Sequence, residues 1–487
     1  MSRIPNLKSI FLLLSVILTP SIGCMRVDAP LPETVAIPQR CAVLFFVDGL
    51  DTDRLEAINA VGAAPVMRQH FLDGGLEFSN ASACFPTVTY SNAVSLMTGR
   101  YPGRHGITAN EWFDRSTMRY QDYATALTYL DVDADYRCRT IYELLAPALT
   151  SSVQCAAARG ASWRWQSQLA NGFNWAAGDY EAVDTRVGRR IQSVIRRARR
   201  SNAWPVYQTY YFPGADKVAH KQGVASARYA AAVRNIDARI GEIIDSIELA
   251  AGPHRTDYWL VSDHGQMNCV NHHVVDIARR IHDVAGVRVL EAEQRRATDD
   301  ADVVLVTGRR HAMIHVRGAA DWGTAPDAIA IERIVDALCQ EGGARPIHGV
   351  RCIYFRLDDA EIGIRDAAGQ RVVTRESVGV RRVSARDRSP FDMELSALFE
   401  SSRAGDIIVL ADASHDFRHK DCGGHGGATP RERRIPLYLK GPGVPAGVRC
   451  DKPVRIIDVM PTILDRLGYA DRLPPDLDGH SLNPLIP

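Results

Sequence analysis

The residues best suited to chemistry are three aspartates, three histidines and one threonine, carried by short motifs spread along the chain. Aspartate and histidine are ligands for divalent metals such as zinc, and a threonine hydroxyl becomes a nucleophile once it is activated. The set consists of Asp48, Thr89, Asp216, His220, Asp263, His264 and His425. Because it could hold two metals with a nucleophile between them, the sequence predicts a metal-dependent hydrolase.

Several of these residues stand directly after apolar runs. Asp48 follows residues 42–47, and Asp263 with His264 follows residues 258–262. In a parallel α/β sheet, ligands gather where strands end, so we expect these three side chains to converge. A single aspartate after a strand can equally be a cap or turn residue. The shared pattern of the two runs favours function.

A second group of ligands combines a helix with a glycine loop. Asp216 and His220 are four residues apart, so one helical turn would present both to the same point. His425 lies between Gly423-Gly424 and Gly426-Gly427, where small residues allow close approach. A lone histidine in such a loop is usually structural, but here it would supply the third ligand of the Asp216 and His220 site.

The nucleophile segment contains two hydroxyls, since Thr87 and Thr89 both lie in the turn at residues 86–89. A hydroxyl at a helix N-terminus beside a metal would have its alkoxide stabilised by both. The alternative is that Thr89 merely caps the helix. From the residues alone either threonine could attack.

The elements that must position these residues alternate between strand-like and helical stretches. Buried strands are predicted at residues 42–47, 206–212 and 258–261, and helices at 92–97, 139–145 and 228–248. This alternation predicts an α/β fold with a mostly parallel central sheet flanked by helices.

Residues 271–404 have a different pattern and are predicted to form a smaller inserted α+β subdomain. It would contain a helix at 328–339, a strand at 352–355 and a hairpin at 361–374. The catalytic domain would comprise residues 40–270 and 405–487, with the central sheet resuming at residues 406–411.

The amino-acid composition excludes few functions, but the net charge of the chain argues against some binding partners. The formal net charge of +1 on 487 residues gives no field for nucleic acid or an anionic membrane, so no specific nucleic-acid binding is expected. Six arginines between Arg189 and Arg200 share a stretch with apolar residues at helical spacing. They predict a solvated helix face, with steering of anions as the alternative.

The N-terminus predicts export. Residues 1–23 have the charged, apolar and small-residue order of a signal peptide, and residues 24–39 form a proline-bearing tether. Cys24 is a candidate lipid anchor, which would make a bacterial protein a periplasmic or membrane-anchored lipoprotein. Export would also let some of the ten cysteines form disulfides.

The motifs resemble the alkaline phosphatase superfamily, specifically its nucleotide pyrophosphatase/phosphodiesterase family. The resemblance runs from about residue 40 to the C-terminus, and residues 271–404 match only loosely. In this superfamily the attacking residue lies nine before the threonine of Thr-Gly-Arg, and counting back from Thr98 gives Thr89. The resemblance also implies the superfamily's sandwich fold.

The resemblance further implies a role for each site residue. Asp216, His220 and His425 would hold one zinc ion or similar divalent metal, and Asp48, Asp263, His264 and Thr89 would hold a second. Asn110 falls where the family places an amide that donates to a phosphoryl oxygen. The implied reaction is hydrolysis of phosphodiester or pyrophosphate bonds in small nucleotide-type phosphoesters, through a phosphothreonine intermediate. No protein partner is implied.

Related activities differ from this one in specific residues. A formylglycine sulfatase is rejected, because Cys84-Phe85-Pro86-Thr87-Val88 is out of register and has Val88 where arginine belongs. A phosphomonoesterase shares all the metal ligands and stays open, although residues 158–168 contain no lysine. A phosphonate hydrolase also stays open. An inactive binding protein is disfavoured because no ligand is missing.

Overall fold

The computed structural model describes residues 25–28, 38–125, 128–166, 168–268, 273–292, 300–341, 343, 345–358, 361–374, 390–418 and 421–487. A nine-stranded sheet forms the centre of the fold. Its strands, in spatial order, are Met25–Asp28, Trp163–Gln166, Thr150–Val153, Tyr207–Phe212, Cys41–Val47, Thr256–Val261, Leu437–Lys440, Leu76–Phe78 and Val448–Cys450. All but the first and Leu437–Lys440 run in the same direction. The predicted mostly parallel α/β sheet is therefore confirmed.

Helices cover both faces of this sheet and create two apolar cores. The principal α-helices are Thr52–Ala60, Thr89–Thr98, Ile141–Leu145, Gln168–Ala177, Tyr180–Ser201, Gly214–Gln222, Ala227–Ala251, Ile277–Ala285, Ala328–Ala337, Pro390–Phe399 and Val459–Arg466. Shorter helical segments are Pro65–Met67, Pro102–His105, Val132–Asp135 and Pro430–Arg433. Strands that are buried on both faces have nearly continuous apolar sequences, and these apolar runs allowed the strands to be predicted.

A second sheet of seven strands occupies most of the predicted insert. Its spatial order is Val289–Glu291, Val303–Thr307, His311–Val316, Ile407–Ala411, Val350–Arg356, Glu361–Asp366 and Gly369–Thr374. The prediction that residues 406–411 return to the central sheet was wrong, because Ile407–Ala411 pairs with His311–Val316 and Val350–Arg356. An apolar run shows that a strand is buried but not which sheet it joins.

The second sheet is joined to the main fold through buried charge as well as apolar packing. Arg310 Nε lies 2.7 Å from Glu432 Oε1, with both side chains fully buried. The same carboxylate oxygen accepts from Gly427 N at 2.8 Å. The two sheets are thereby linked through the loop that carries His425.

The arginine-rich segment is the helix Tyr180–Ser201, as its spacing predicted. Val187 and Ile191 are buried, whereas Arg189 and Arg196 are exposed. Arg197 lies over the ring of Trp163 at 4.6 Å. Part of this helix lines a cavity of about 580 Å³ at the sheet edge, which contains none of the predicted site residues.

The predicted signal peptide and Cys24 lie outside the described residues. Met25–Asp28, within the predicted tether, instead forms an edge strand antiparallel to Trp163–Gln166. Its backbone satisfies the open hydrogen-bonding edge of that strand. In the described ranges, no helix is long and apolar enough to cross a membrane.

Export would allow some of the ten cysteines to form disulfides. The eight cysteines within the described ranges all carry free thiols. They are Cys41, Cys84, Cys138, Cys155, Cys339, Cys352, Cys422 and Cys450.

Candidate active site

Two adjacent parallel strands bring Asp48 and Asp263 to the same edge of the central sheet. Cys41–Val47 pairs with Thr256–Val261 in a register that sets Phe46 opposite Val261. The segments that follow these two strands leave the sheet side by side, and Gly49 N donates to Asp263 Oδ1 at 3.1 Å. Gly49 has φ +61, and a Cβ there would lie 2.9 Å from Asp216 Cα. Glycine is required because a larger residue would separate the two halves of the site.

The next strand along the sheet positions Asp216 and His220. Tyr207–Phe212 leads through Pro213 into the helix Gly214–Gln222, which buries both residues on one face. His220 Nε2 lies 3.3 Å from Asp216 Oδ1. The i, i+4 spacing thus produces the convergence that the sequence predicted.

His425 joins this pair from a distant part of the chain. Its Nε2 lies 3.1 Å from His220 Nε2 and 3.5 Å from Asp216 Oδ1. The approach depends on Gly423, because a Cβ at that position would lie 2.4 Å from the carbonyl oxygen of Ala219. The glycine loop therefore has the close-packing role expected of it.

In all three histidines the Nδ1 atom faces a backbone carbonyl oxygen and the Nε2 atom faces the acid cluster. The Nδ1 atoms of His220, His264 and His425 lie within hydrogen-bond distance of the carbonyl oxygens of Gly423 (3.0 Å), Gly265 (3.2 Å) and Thr87 (2.8 Å). A carbonyl accepts only, so each Nδ1 carries the proton and each Nε2 presents a lone pair. Outer hydrogen bonds of this kind are typical of histidines that bind metals.

The ligand atoms form two overlapping groups. Those of Asp216, His220 and His425 lie within 4.8 Å of one another, and so do those of Asp48, Asp216 and His264. Asp263 Oδ2 lies 3.2 Å from His264 Nε2, beside the second group. The structure therefore brings all six predicted ligands together, with Asp216 between the two halves.

Three buried carboxyl groups lie close together in this site, and ionising all of them is unfavourable unless cations are bound nearby. Burial, reinforced by Asp263 and Asp216, raises the pKa of Asp48 well above its usual range. Burial raises the pKa of Asp263 to about 7. Burial also opposes ionisation of Asp216, but His220 and Lys217 hold its pKa well below the usual value. Asp48 Oδ1 and Asp263 Oδ2 make no hydrogen bond within the described chain. Unsatisfied buried carboxylate oxygens facing imidazole lone pairs fit divalent metals.

Thr89 lies against this cluster, whereas Thr87 is held away from it. Thr89 is the first residue of the helix Thr89–Thr98, and its Oγ1 lies 3.4 Å from His264 Nε2. The N-cap position belongs to Val88, so capping is not the role of Thr89. Thr87 Oγ1 donates to Gly427 O at 2.9 Å and accepts from Gly426 N at 3.0 Å. Its hydroxyl is thereby used in structure.

Four residues that the sequence did not single out orient these groups. Asn92 Nδ2 donates to the carbonyls of Pro86 (3.0 Å) and Val88 (3.1 Å), which holds the turn before Thr89. The other three contact the acids. Tyr211 Oη donates to Asp48 Oδ2, Gln266 Nε2 donates to Asp216 Oδ1, and Lys217 Nζ donates to Asp216 Oδ2. Lys217 and Gln266 could have been suspected from the sequence, because Lys217 follows Asp216 directly and Gln266 lies two residues after His264.

A cavity of about 330 Å³ opens onto Thr89 and Asp48. Asn110 lines it and is fixed by accepting a hydrogen bond from Tyr90 N at 3.0 Å through Oδ1. Aromatic side chains form much of the remaining wall, namely Tyr90, Tyr129, Trp175 and Tyr211. The cavity thus combines polar and charged side chains with aromatic walls, as ligand pockets usually do.

The sequence matches known proteins over most of its length. A family model described as type I phosphodiesterase/nucleotide pyrophosphatase matches residues 42–431. The bis(5′-adenosyl)-triphosphatase ENPP4 of Pongo abelii is 22% identical over 212 residues, 43% of this chain and 45% of that protein. Ectonucleotide pyrophosphatase/phosphodiesterase family member 1 of Mus musculus is 24% identical over 289 residues, 57% of this chain and 30% of that protein. The matches span less than half the length of these curated relatives.

Solved structures show the same fold. Murine ectonucleotide pyrophosphatase/phosphodiesterase 5 aligns with a TM-score of 0.61 at 16% identity, covering 88% of this chain and 95% of that chain. An inactive variant of the murine protein in complex with AMP aligns with a TM-score of 0.60 at 15% identity, with the same coverage of both chains. At these identities the likeness concerns the fold.

Proposed function

The chain belongs to the type I phosphodiesterase/nucleotide pyrophosphatase family, and on that basis we propose that it is a two-metal hydrolase of nucleotide-type phosphodiester or pyrophosphate bonds. The observation that carries the proposal is the convergence of three imidazole Nε2 atoms and three buried carboxylates beside the Thr89 hydroxyl. This arrangement offers both metal ligands and a nucleophile at one point.

The residues present fit two divalent metals, with zinc the best match to the mixed nitrogen and oxygen donors. Asp216, His220 and His425 would hold one, and Asp48, Asp263, His264 and Thr89 the other. When bound, such ions supply countercharge for the acids and for the phosphoryl oxygens, and they lower the pKa of a bound hydroxyl. The unsatisfied oxygens of Asp48 and Asp263 support this assignment.

The protein residues then perform a double displacement. Thr89 Oγ1 loses its proton to solvent and forms a bond to phosphorus, while the bond from phosphorus to the leaving oxygen breaks and its electron pair stays on that oxygen. The phosphoryl group, still carrying its remaining ester, is now linked to Thr89. Water then attacks the same phosphorus, the bond from phosphorus to Thr89 Oγ1 breaks, and a proton from that water restores the Thr89 hydroxyl. The placement of Thr89 at the start of a helix favours the negative charge that develops on its oxygen.

Asn110 and the aromatic walls position the substrate in this scheme. Because Asn110 Oδ1 is held by Tyr90 N, its Nδ2 is the end that donates to a phosphoryl oxygen. Tyr90, Tyr129 and Trp175 offer flat apolar faces on which a nucleobase would stack. The murine relative's complex with AMP supports a nucleotide as the occupant of such a cavity.

The proposal includes export, with Cys24 as a lipid anchor if the chain is a bacterial lipoprotein. It rests on the order of charged, apolar and small residues in residues 1–23. Mass analysis of the mature N-terminus would test it directly. A lipid-modified residue 24 supports the anchor, whereas an intact Met1 contradicts export.

The activity is tested by comparing a bis-aryl phosphate with the matching mono-aryl phosphate. We expect a higher kcat/KM for the bis-aryl ester, because the cavity next to Thr89, with its aromatic walls, would receive a second substituent on phosphorus. A preference for the mono-aryl ester would instead indicate a phosphomonoesterase. No turnover of either ester by the zinc-loaded protein would contradict hydrolysis altogether.

A further inference from the structure

A second cavity, outside the candidate active site, has a strongly basic wall. It has a volume of about 580 Å³ and shares no lining residue with the cavity at Thr89. Among its lining residues that the structure describes, none is an aspartate or glutamate and five are arginines, which makes it an arginine cavity. They are Arg164, Arg190, Arg196, Arg197 and Arg200. Because like charges repel at short range, an anionic occupant would be favoured there.

Most of this charge comes from one side of the helix Tyr180–Ser201. Arg190, Ser193 and Arg197 recur at intervals of three and four residues, so they share one side of the helix, and all three line the arginine cavity. Residues 185–201 contain seven arginines and no acid. The helix therefore creates a local positive field in a chain whose net charge is only +1.

The indole rings of Trp163 and Trp165 form part of the wall that faces these arginines. The guanidinium of Arg197 lies 4.6 Å from the ring centre of Trp163, and that of Arg190 lies 5.3 Å from the ring centre of Trp165. Such contacts orient a guanidinium through its flat face, whereas its N–H donors lie in its plane. The tryptophans thus hold two of the arginines in fixed positions within the cavity.

Two further arginines extend the basic wall to the surface. Arg196 and Arg200 are exposed, whereas Arg164 is paired with Asp133 on the strand side of the cavity. Because a helix rises by 1.5 Å per residue, the charges between Arg190 and Arg200 extend over about 15 Å. One phosphate group would contact only part of this length. A row of phosphate groups on a membrane surface fits it better.

The edge strand beside the arginine cavity connects it to the proposed lipid anchor. Met25–Asp28 pairs antiparallel with Trp163–Gln166, in a register that sets Met25 opposite Gln166. Cys24, the proposed site of lipid attachment, directly precedes this edge strand. A lipid on Cys24 would therefore hold this edge of the sheet, and the cavity next to it, close to a membrane.

We infer that the arginine cavity docks on the phosphate groups of anionic phospholipids and so orients the protein with this sheet edge against the membrane. The inference goes beyond the proposed function, because hydrolysis does not require it. Guanidinium and phosphate groups form charge-assisted, often bidentate hydrogen bonds. A cluster of basic residues on an amphipathic helix is typical of contact with anionic lipids, and it strengthens attachment through a lipid chain.

The test measures binding of the full chain to vesicles by co-sedimentation. Every protein carries Cys24→Ser, so that no lipid is attached at that residue. One vesicle preparation contains phosphatidylcholine alone, and the other contains equal parts of phosphatidylcholine and phosphatidylglycerol. We expect tighter binding to the mixed vesicles, and Arg196→Gln/Arg200→Gln should weaken that binding by about 10- to 30-fold. Added sodium chloride should weaken it as well.

Arg199→Gln/Arg234→Gln is the matched control. It also removes two exposed arginines, but neither is among the residues that line the arginine cavity, and Arg199 is adjacent to Arg200 in the same helix. We expect this pair to bind the mixed vesicles as wild type does. Equal weakening by the two pairs, or equal binding of wild type to both vesicle preparations, would overturn the inference and leave the arginines as a solvated helix face.

Soluble glycerol phosphate distinguishes a membrane from a small ligand. If it binds the metal-free protein through Arg196 and Arg200 while the mixed vesicles do not, the inference is overturned in favour of a site for a soluble phosphate ester. Thermal midpoints identify a folding defect, in which case Arg200→Gln alone is compared with Arg199→Gln alone. Hydrolysis of the bis-aryl phosphate should be unchanged in both pairs. Vesicle binding as expected without any hydrolysis would contradict the proposed function only.

Discussion

The hydroxyl oxygen of Thr89 lies 3.4 Å from Nε2 of His264, although 175 positions separate these residues. The contact joins the N-terminus of a helix to the end of a central strand, and His264 in turn lies within 3.5 Å of Asp48. The proposed nucleophile and the proposed metal ligands thus meet at one edge of the sheet. Thr89 begins a helix, and Asp48 and His264 lie just beyond the ends of two paired strands, so the regular elements preorganise this contact.

Tyr211 is expected to set the metal affinity of the Asp48 half. Tyr211→Phe removes the hydrogen bond to Asp48 Oδ2 and leaves that carboxylate less well oriented. We predict metal binding weaker by about 10- to 100-fold, measured by competition with a chromogenic chelator.

Tyr210→Phe is the matched control for Tyr211→Phe. Tyr210 is adjacent in the same strand, points to the other face, and donates to Gln208 at 2.6 Å. Equal weakening by both substitutions would contradict a specific role for Tyr211.

The acid cluster is expected to destabilise the metal-free protein. Asp263→Asn keeps the Oδ1 acceptor for Gly49 N but removes one buried charge. At pH 8, above the pKa of about 7 for Asp263, the metal-free variant should exceed metal-free wild type in free energy of unfolding. The expected gain is at least about 1 kcal/mol, because pH 8 lies roughly one unit above that pKa.

Zinc should reverse this order, because Asp263→Asn loses an anionic ligand. Urea unfolding with chelator and with excess zinc checks both states. A metal-free variant that is less stable than metal-free wild type would show that repulsion among the acids is unimportant.

The buried His105 is expected to lower the free energy of unfolding of the protein at acidic pH. The ring is fully buried, its Nδ1 accepts from Ile107 N at 3.1 Å, and its Nε2 contacts Ser95 Oγ at 3.0 Å. Burial lowers its pKa from 6.5 to about 3. Between pH 6.5 and about 3 the His105 side chain binds a proton in the unfolded state but not in the folded state. The free energy of unfolding therefore has its full value above pH 6.5 and decreases as the pH falls from 6.5 to about 3.

The expected slope from this group is about 1.4 kcal/mol per pH unit. Unfolding by urea at pH 7, 6, 5 and 4 should therefore show a shallower dependence in His105→Gln than in wild type. Identical slopes in the two proteins would contradict the assignment.

Much of the site could be predicted because its ligands follow simple local rules. Asp48 and Asp263 end apolar strands, and Asp216 and His220 share one helical face, so position in the sequence implies position in space. The choice of Thr89 over Thr87 came from resemblance alone. The structure supplies a physical reason, since the Thr87 hydroxyl is bonded to Gly426 and Gly427.

What the sequence could not supply were contacts made by residues with no chemical motif of their own. Tyr211 is one of several aromatic residues in a buried strand, and only the pairing of Tyr207–Phe212 with Cys41–Val47 sets it beside Asp48. The same limit explains the error at Ile407–Ala411, whose partners are chosen by tertiary packing. Local patterns do not encode which strands become neighbours.

In the proposed reaction Thr89 attacks phosphorus, and the aspartate and histidine ligands hold both metals even when the Thr89 hydroxyl is removed. The most direct measurement compares hydrolysis of a bis-aryl phosphate by zinc-loaded wild type, Thr89→Ala and Thr87→Ala, with zinc content determined for each. We predict that Thr89→Ala abolishes turnover and keeps most of its zinc, whereas Thr87→Ala retains measurable turnover despite losing two hydrogen bonds. An active Thr89→Ala beside an inactive, folded Thr87→Ala would contradict this account.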